Sequence, residues 1–132
     1  MPNAARLAAR IRVARPTDRL AEVVRFYTEG LGLEEIGRFE GHAGYDGVLV
    51  GLPGAEHHLE FTRHAEGSPG SSPSADNLLV FYLADVQARD ELAGQLRALG
   101  GEPVAPENPY WRDAGGLTFE DPDGWRVVLV PQ

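Results

Sequence analysis

The residues best suited to chemistry are concentrated in one short stretch, where His57, His58, Glu60 and His64 lie close together. Read as a strand, Glu56 to Arg63 puts Glu56, His58 and Glu60 on one face and His57, Leu59 and Phe61 on the other. A histidine and a carboxylate two positions apart on one face can form part of a metal site, with His42 joining if the loop before the third strand, 45–52, folds over. Alternatively, they can pair a general base with a hydrogen-bonding partner. The plainer reading leaves His58 hydrogen-bonded to a ligand or to Glu60, with His57 and His64 near the surface. Three arginines, Arg10, Arg12 and Arg126, occupy the polar positions of their strands. Turned toward Glu60, an arginine would hold it ionised and fill the space of a metal. Left in water at strand edges, it would contribute little. Asn108-Pro109-Tyr110-Trp111-Arg112 sets two aromatics and a cation in a loop. Beside a cavity they suit stacking on a planar or cationic ligand, and otherwise they plug the cavity mouth or a subunit interface. Trp125 is expected to cover the core from outside.

The totals limit what this cluster can serve. With 132 residues there is room for one domain, and 42% hydrophobic with 24% charged residues is a globular composition. Cysteine is absent, which removes disulfides, thiolate ligands and cysteine nucleophiles. A net charge of −8 disfavours nucleic acid as a partner and favours a cationic small ligand. No long apolar run predicts a membrane span, and MPNAARLAARIRV lacks the apolar stretch of a secretory signal, so a cytoplasmic location is expected. Neither a glycine-rich phosphate loop nor a dinucleotide fingerprint is present.

The elements that must position the cluster can be traced by periodicity. Leu7 to Val13 alternates as a strand, ended by Pro16. Thr17 or Asp18 can cap a helix carrying Leu20, Val23, Val24, Tyr27 and Leu31, which Gly30 and Gly32 stop. Strands are expected over 33–40, 45–52 and 56–63. The segment 65–75, AEGSPGSSPSA, reads as a mobile linker. After it come a strand over 77–84, a helix capped by Asp85 with Val86, Leu92, Ala93, Leu96 and Leu99 as its stripe, and short strands over 102–104, 114–119 and 125–130.

The order of elements therefore occurs twice. Leu31-Gly32 matches Leu99-Gly100, and His58-Leu59-Glu60-Phe61 falls opposite Arg126-Val127-Val128-Leu129, at one constant separation. This predicts a single α+β domain over 1–132. Its two βαβββ modules, at about 5–64 and 76–132, form one curved mixed sheet around a half-barrel cavity with helices outside.

Three segments carry a resemblance: RFYTEGLGLEE (25–35), LVFYLADV (79–86) and FEDPDGWRVVL (119–129). They resemble the glyoxalase, bleomycin-resistance and extradiol-dioxygenase superfamily, the vicinal oxygen chelate fold, and with the order of elements they span nearly the whole chain. The Asp121-Pro122-Asp123-Gly124 turn is the most specific of these signals. The resemblance implies four inward-facing metal ligands, two per module. Glu60 matches one of them, whereas Val128, Leu78 and a position near Ala8 carry no donor where a carboxylate or histidine would stand. One carboxylate cannot hold a catalytic divalent ion.

The expected function is a small-molecule binding protein without metal or other cofactor. An organic ligand would be held by His58, Glu60, Leu78, Tyr82, Tyr110, Trp111, Arg126 and Val128. The alternative is a glyoxalase-type lyase or isomerase, less readily a dioxygenase. Glu60 would be its catalytic general base, with either a rearranged metal site or an arginine as electrophile. A domain serving only protein contacts is a third class. Exposed sheet edges, together with the habit of the superfamily, predict a homodimer with no nucleic-acid or membrane partner.

Overall fold

The computed structural model describes residues 7–132, so positions 5 and 6 of the expected first module lie outside the described residues. β1 (Ile11–Pro16), α1 (Leu20–Arg25), β2 (Glu34–His42), β3 (Tyr45–Gly51) and β4 (His57–His64) form the first module. The second consists of β5 (Leu78–Leu83), α2 (Val86–Ala98), the single turn α3 (Tyr110–Asp113), β6 (Leu117–Glu120) and β7 (Arg126–Pro131). The first sheet has the order β1-β4-β3-β2 and the second β5-β7-β6, with β1 parallel to β4 and β5 parallel to β7. This is the expected two-module α+β architecture. The two sheets remain separate, however, and β1 and β5 each end a sheet with an unpaired edge.

Alternation along β4 determines which side of the first sheet carries chemistry. Phe61 pairs with Val48 and Arg15, and Phe61 and Val48 are buried among Val23, Phe26 and Tyr27. Tyr27 stacks on Phe61 with ring centroids 4.9 Å apart. Each large apolar side chain so buried contributes roughly 1.5–3 kcal/mol. His58 and Glu60 therefore face away from the helix, beside Arg12 and Ala14. In the second sheet Leu79, Phe81, Val127 and Leu129 pack with Leu96 and Phe119 into that same core.

Several boundaries differ from the sequence reading. The first strand lies four residues later, over Ile11–Pro16, because its register is set by Ile11 N–H donating to the Glu56 carbonyl at 2.8 Å. Pro16 belongs to the strand, where an edge position tolerates the missing N–H. Helix α1 stops at Arg25 and passes into a π turn over Phe26–Gly30, so the expected single helix is in two parts. Neither Thr17 nor Asp18 caps it. Thr17 Oγ1 accepts from Arg19 N–H at 2.9 Å, while Asp18 accepts from Ser68 N–H. Asp85 does cap α2, accepting from Ala88 N–H at 2.8 Å. The expected strand over 102–104 is reduced to one bridge from Val104 to Thr118, and β6 begins at Leu117 because α3 occupies residues before it.

The segment 65–75 is a packed strap, not a loose linker. Ser68 is buried, and its Oγ accepts from His64 N–H. The Gly70 carbonyl accepts from Trp125 Nε1–H at 2.6 Å, and a Cβ on Gly70 would fall 2.1 Å from the Pro16 carbonyl oxygen. Beneath the strap Asp121 joins the modules. Its carboxylate accepts from Tyr27 Oη–H at 2.9 Å and from the backbone N–H groups of Asp123 and Trp125, and it pairs with Arg15. The Arg15 guanidinium carbon lies 4.9 Å from the Phe61 ring centroid and 5.0 Å from that of Trp125. Trp125 thus covers the core from outside, as its position after the turn led one to expect.

Candidate functional site

β1 and β4 run side by side, with Arg12 opposite His58 and Ala14 opposite Glu60. Arg12 Nε–H donates to His58 Nε2 at 2.8 Å, and Arg12 Nη1 lies 3.8 Å from Glu60 Oε1. His58 is 8% exposed and the Glu60 side chain 14%, whereas the Arg12 side chain is 43% exposed. An arginine N–H can only donate, so His58 Nε2 is the acceptor of this bond. Of the three arginines that could have turned toward Glu60, Arg12 does so. Arg126 is engaged elsewhere, donating to Glu120 at 3.2 Å and to the Ala105 carbonyl at 3.0 Å, and Arg10 precedes β1.

The internal repeat corrects one position. Arg126, the counterpart of His58, pairs with Leu78, so the first-module counterpart of Leu78 is the residue that pairs with His58. That residue is Arg12, not Ala8. Register, which sequence alone leaves open by several positions, decides this.

A groove of about 550 Å³ opens between the free edges of β1 and β5. Its walls include Ile11, Val13, Leu59, Leu79 and Phe81, its base Leu31, Leu33 and Leu92, and His58 and Tyr82 reach it. Glu60, Leu78, Tyr110, Trp111, Arg126 and Val128 do not line it, so the expected constellation divides. His58 and Tyr82 meet at the groove, and Glu60 stands behind His58. The remainder sits on the second module, where Val128 is 0% exposed. Gly116 closes over it, since a Cβ there would lie 3.0 Å from Val128 Cγ1 and 2.7 Å from the Trp111 carbonyl oxygen. Thr118, paired with Val128, is also buried, and its Oγ1 has no hydrogen-bond partner among the described residues. Tyr110 is exposed and packs edge-on against Trp111 at 5.1 Å. The sequence reading missed the groove walls, whose only signal was the apolar alternation of two strands that proved to be edges.

Outside this face His42 packs edge-on against Phe39 at 6.2 Å, and His64 against Tyr45 at 4.7 Å. Among the described residues no three His, Cys, Asp or Glu side chains are grouped to hold a metal ion.

Residues 11–62 match the YycE-like N-terminal domain and residues 76–131 the YycE-like C-terminal domain. The Bacillus subtilis (strain 168) protein YycE is 51% identical over 123 residues, 93% of this chain and 88% of that protein. The chain belongs to the YycE-like family. The crystal structure of Bacillus subtilis YycE superposes with a TM-score of 0.90 at 48% identity, covering 98% of this chain and 94% of that one. Leishmania major glyoxalase I, a trypanothione-dependent enzyme, superposes at 0.70 with 19% identity over 91% of this chain and 84% of its own. TnmS3, an antibiotic-binding protein from Streptomyces sp. CB03234, gives 0.64 with 22% identity over 91% and 92%. These two share the fold with the YycE-like chain. No helix among the described residues is long and apolar enough to cross a membrane.

Proposed function

We propose that this YycE-like protein binds a small organic molecule without a metal ion, in the manner of the bleomycin-resistance branch of its fold, and works in the cytoplasm. The observation that carries this reading is the Arg12 guanidinium at His58 Nε2 and near Glu60. The fold family implies a divalent ion in this region, and the donor set does not fit one. The His58 lone pair is already taken, Glu60 faces a cation, and Val128 and Leu78 supply no donor. The ligand's apolar body fits the groove beside His58 and Tyr82, whose size is within the range of ordinary small-molecule sites. TnmS3 offers a precedent for the same fold binding an antibiotic.

A homodimer is part of this proposal. Ile11 at 64%, Val13 at 53% and Tyr82 at 62% exposed border unpaired strand edges, and a second copy would cover them and close the groove.

A screen of planar aromatic compounds in several charge states tests the reading. Binding should raise the melting temperature and quench tryptophan fluorescence, equally with and without a chelator. No response to any compound, or a response abolished by chelation, would overturn it.

A second reading, a lyase or isomerase, is favoured by the same pair. Glu60 would be the general base, and Arg12, 3.8 Å away, the cation facing a developing enediolate. Turnover abolished by Glu60→Gln with ligand affinity retained would select this reading over sequestration.

A further inference from the structure

We propose that residues 106–114 are a hinged lid over a second ligand site, on the face of the second sheet turned away from α2, and that this site takes a neutral apolar molecule carrying one hydrogen-bonding group, such as a ketone or an amide. The site is separate from the groove between β1 and β5, and the proposal stands whether or not that groove is filled.

The lid exists because a strand is missing. In the first sheet β2 pairs along β3, whereas the second sheet ends at β6. The counterpart of β2, reached by the separation that relates Leu31-Gly32 to Leu99-Gly100, contains Pro103, Pro106 and Pro109. Proline has no N–H to give to a ladder, so only the bridge from Val104 to Thr118 forms. The chain then turns over the sheet instead of extending it. The Trp111 carbonyl oxygen and Val128 Cγ1 both lie where a Cβ on Gly116 would point. Val128 and Val130, neighbours on that face of β7, are buried outside the main core.

The segment is tied to the rest of the protein at its ends. Arg126 Nη1–H donates to the Ala105 carbonyl at 3.0 Å, and Arg89 Nη1–H donates to the Gly115 carbonyl at 2.7 Å. Between these ties, among the described residues, hydrogen bonds stay local. Trp111 N–H donates to the Asn108 carbonyl, Asp113 N–H to that of Pro109 and Ala114 N–H to that of Tyr110. Helix α3 buries none of its residues. Such a unit swings without melting, at the cost of the bond from Gly116 N–H to the Trp111 carbonyl, and the Gly115-Gly116 pair supplies a hinge.

Thr118 shows what the opened face would take. Its neighbours Leu117 and Phe119 pack toward the core, so its side chain is on the covered face with Val128. Thr118 is 2% exposed and its Oγ1 has no hydrogen-bond partner among the described residues. A hydroxyl hidden in this way destabilises the closed form, and a ligand oxygen placed against it recovers the loss. Arg126, the cation of that face, is already held by Glu120 and the Ala105 carbonyl. A charged ligand would therefore give up its hydration without a free partner, whereas a neutral carbonyl needs only the hydroxyl.

Acetophenone, isopropylbenzene and benzoate share a ring and nearly one shape, and differ in carrying a ketone, a hydrocarbon or an anion. Their affinities are measured by methyl and amide NMR titration of the wild type, Thr118→Val, Thr118→Ser and Gly116→Ala, after melting curves establish which variants are folded. Acetophenone should move the signals of Thr118, Val128, Val130 and Trp111. It should bind about fivefold more tightly than the other two probes, the worth of one neutral hydrogen bond. Thr118→Val should melt at a higher temperature, because the orphan hydroxyl is gone, and yet bind acetophenone no better than isopropylbenzene. Thr118→Ser should keep the preference. Gly116→Ala presses a Cβ against the Trp111 carbonyl and should bind acetophenone more tightly, because the open form is already populated. Signals that move only at Ile11, Val13, Leu59 and Phe81 assign the probe to the groove, which overturns the second site and leaves the small-molecule reading intact. A preference that survives Thr118→Val, tighter binding of benzoate, or no binding of acetophenone overturns the site as well. Unchanged or weaker affinity in Gly116→Ala overturns the lid. If Gly116→Ala does not fold, the two Thr118 variants decide the proposal by themselves.

Discussion

Tyr27, in the turn that ends the first module's helix, donates a 2.9 Å hydrogen bond to Asp121, 94 residues later in the second module's closing turn. Arg15 reaches the same carboxylate from β1, and the Asp121 side chain is 0% exposed. Burial pushes the Asp121 carboxyl above the usual carboxylate range, against the pull of Arg15. It also pushes the Tyr27 hydroxyl well above its ordinary value, with Asp121 adding to the shift. One buried cluster therefore ties the two repeats. Asp121→Ala should destabilise the fold by about 3–5 kcal/mol, since it leaves buried Arg15 with Asp123 alone, at 3.3 Å, and strips the acceptor from Tyr27 and from two backbone N–H groups. Asp121→Asn, which keeps acceptors, should cost less. Urea unfolding monitored by tryptophan fluorescence checks both. A loss within 0.5 kcal/mol or so, the range of an ordinary surface change, would mean that the cluster is not a structural tie.

The strap predicts a second sensitivity. Gly70→Ala forces a Cβ toward the Pro16 carbonyl and should cost about 1–3 kcal/mol, whereas Gly54→Ala, at a site with open space, tests the strain of its positive φ alone. Limited proteolysis of the native protein should leave 65–75 uncut even though its composition suits a protease. Rapid cleavage there in the folded protein would contradict the packing.

For metal, protein purified without added ions should contain no stoichiometric Zn, Ni, Fe or Mn, and a chelator should change neither melting temperature nor ligand affinity. Elemental analysis finding one ion per chain, lost in His58→Ala or Glu60→Ala, would instead establish a rearranged metalloprotein.

Sedimentation at micromolar concentration should give a species of twice 14.3 kDa. Val13→Asp, which puts a charge on the exposed edge of β1, should shift it toward the single chain. A wild type that sediments only at 14.3 kDa would defeat the dimer.

Most of the framework was legible because it depends on local pattern. The spacing of Val23 and Tyr27, the cap at Asp85 and the Asp121–Gly124 turn each announce themselves within a few residues. The fourth strand's alternation placed His58 and Glu60 on one face. What escaped were relations set by distant pairing. The register of β1 against β4 is fixed by a hydrogen bond from Ile11 to Glu56, so Arg12 and not Ala8 lies beside His58. Gly, Ser and Pro in 65–75 signal flexibility by composition, yet Asp18 and Trp125 hold that segment from elsewhere in the chain. Val128 looked like a cavity residue by its offset from Glu60, and only the path of Trp111 to Gly116 reveals that it is sealed.

That seal also limits what position 128 can accept. A carboxylate at position 128 would arrive in a space already filled by the Gly116 and Trp111 backbone, so such a substitution would carry an immediate folding cost before any new donor could be used. Selection acting one substitution at a time is therefore steered toward the first module's open face. There Arg12, His58 and Glu60 can be exchanged without unpacking the core, and new ligand specificities in this lineage should arise on that side.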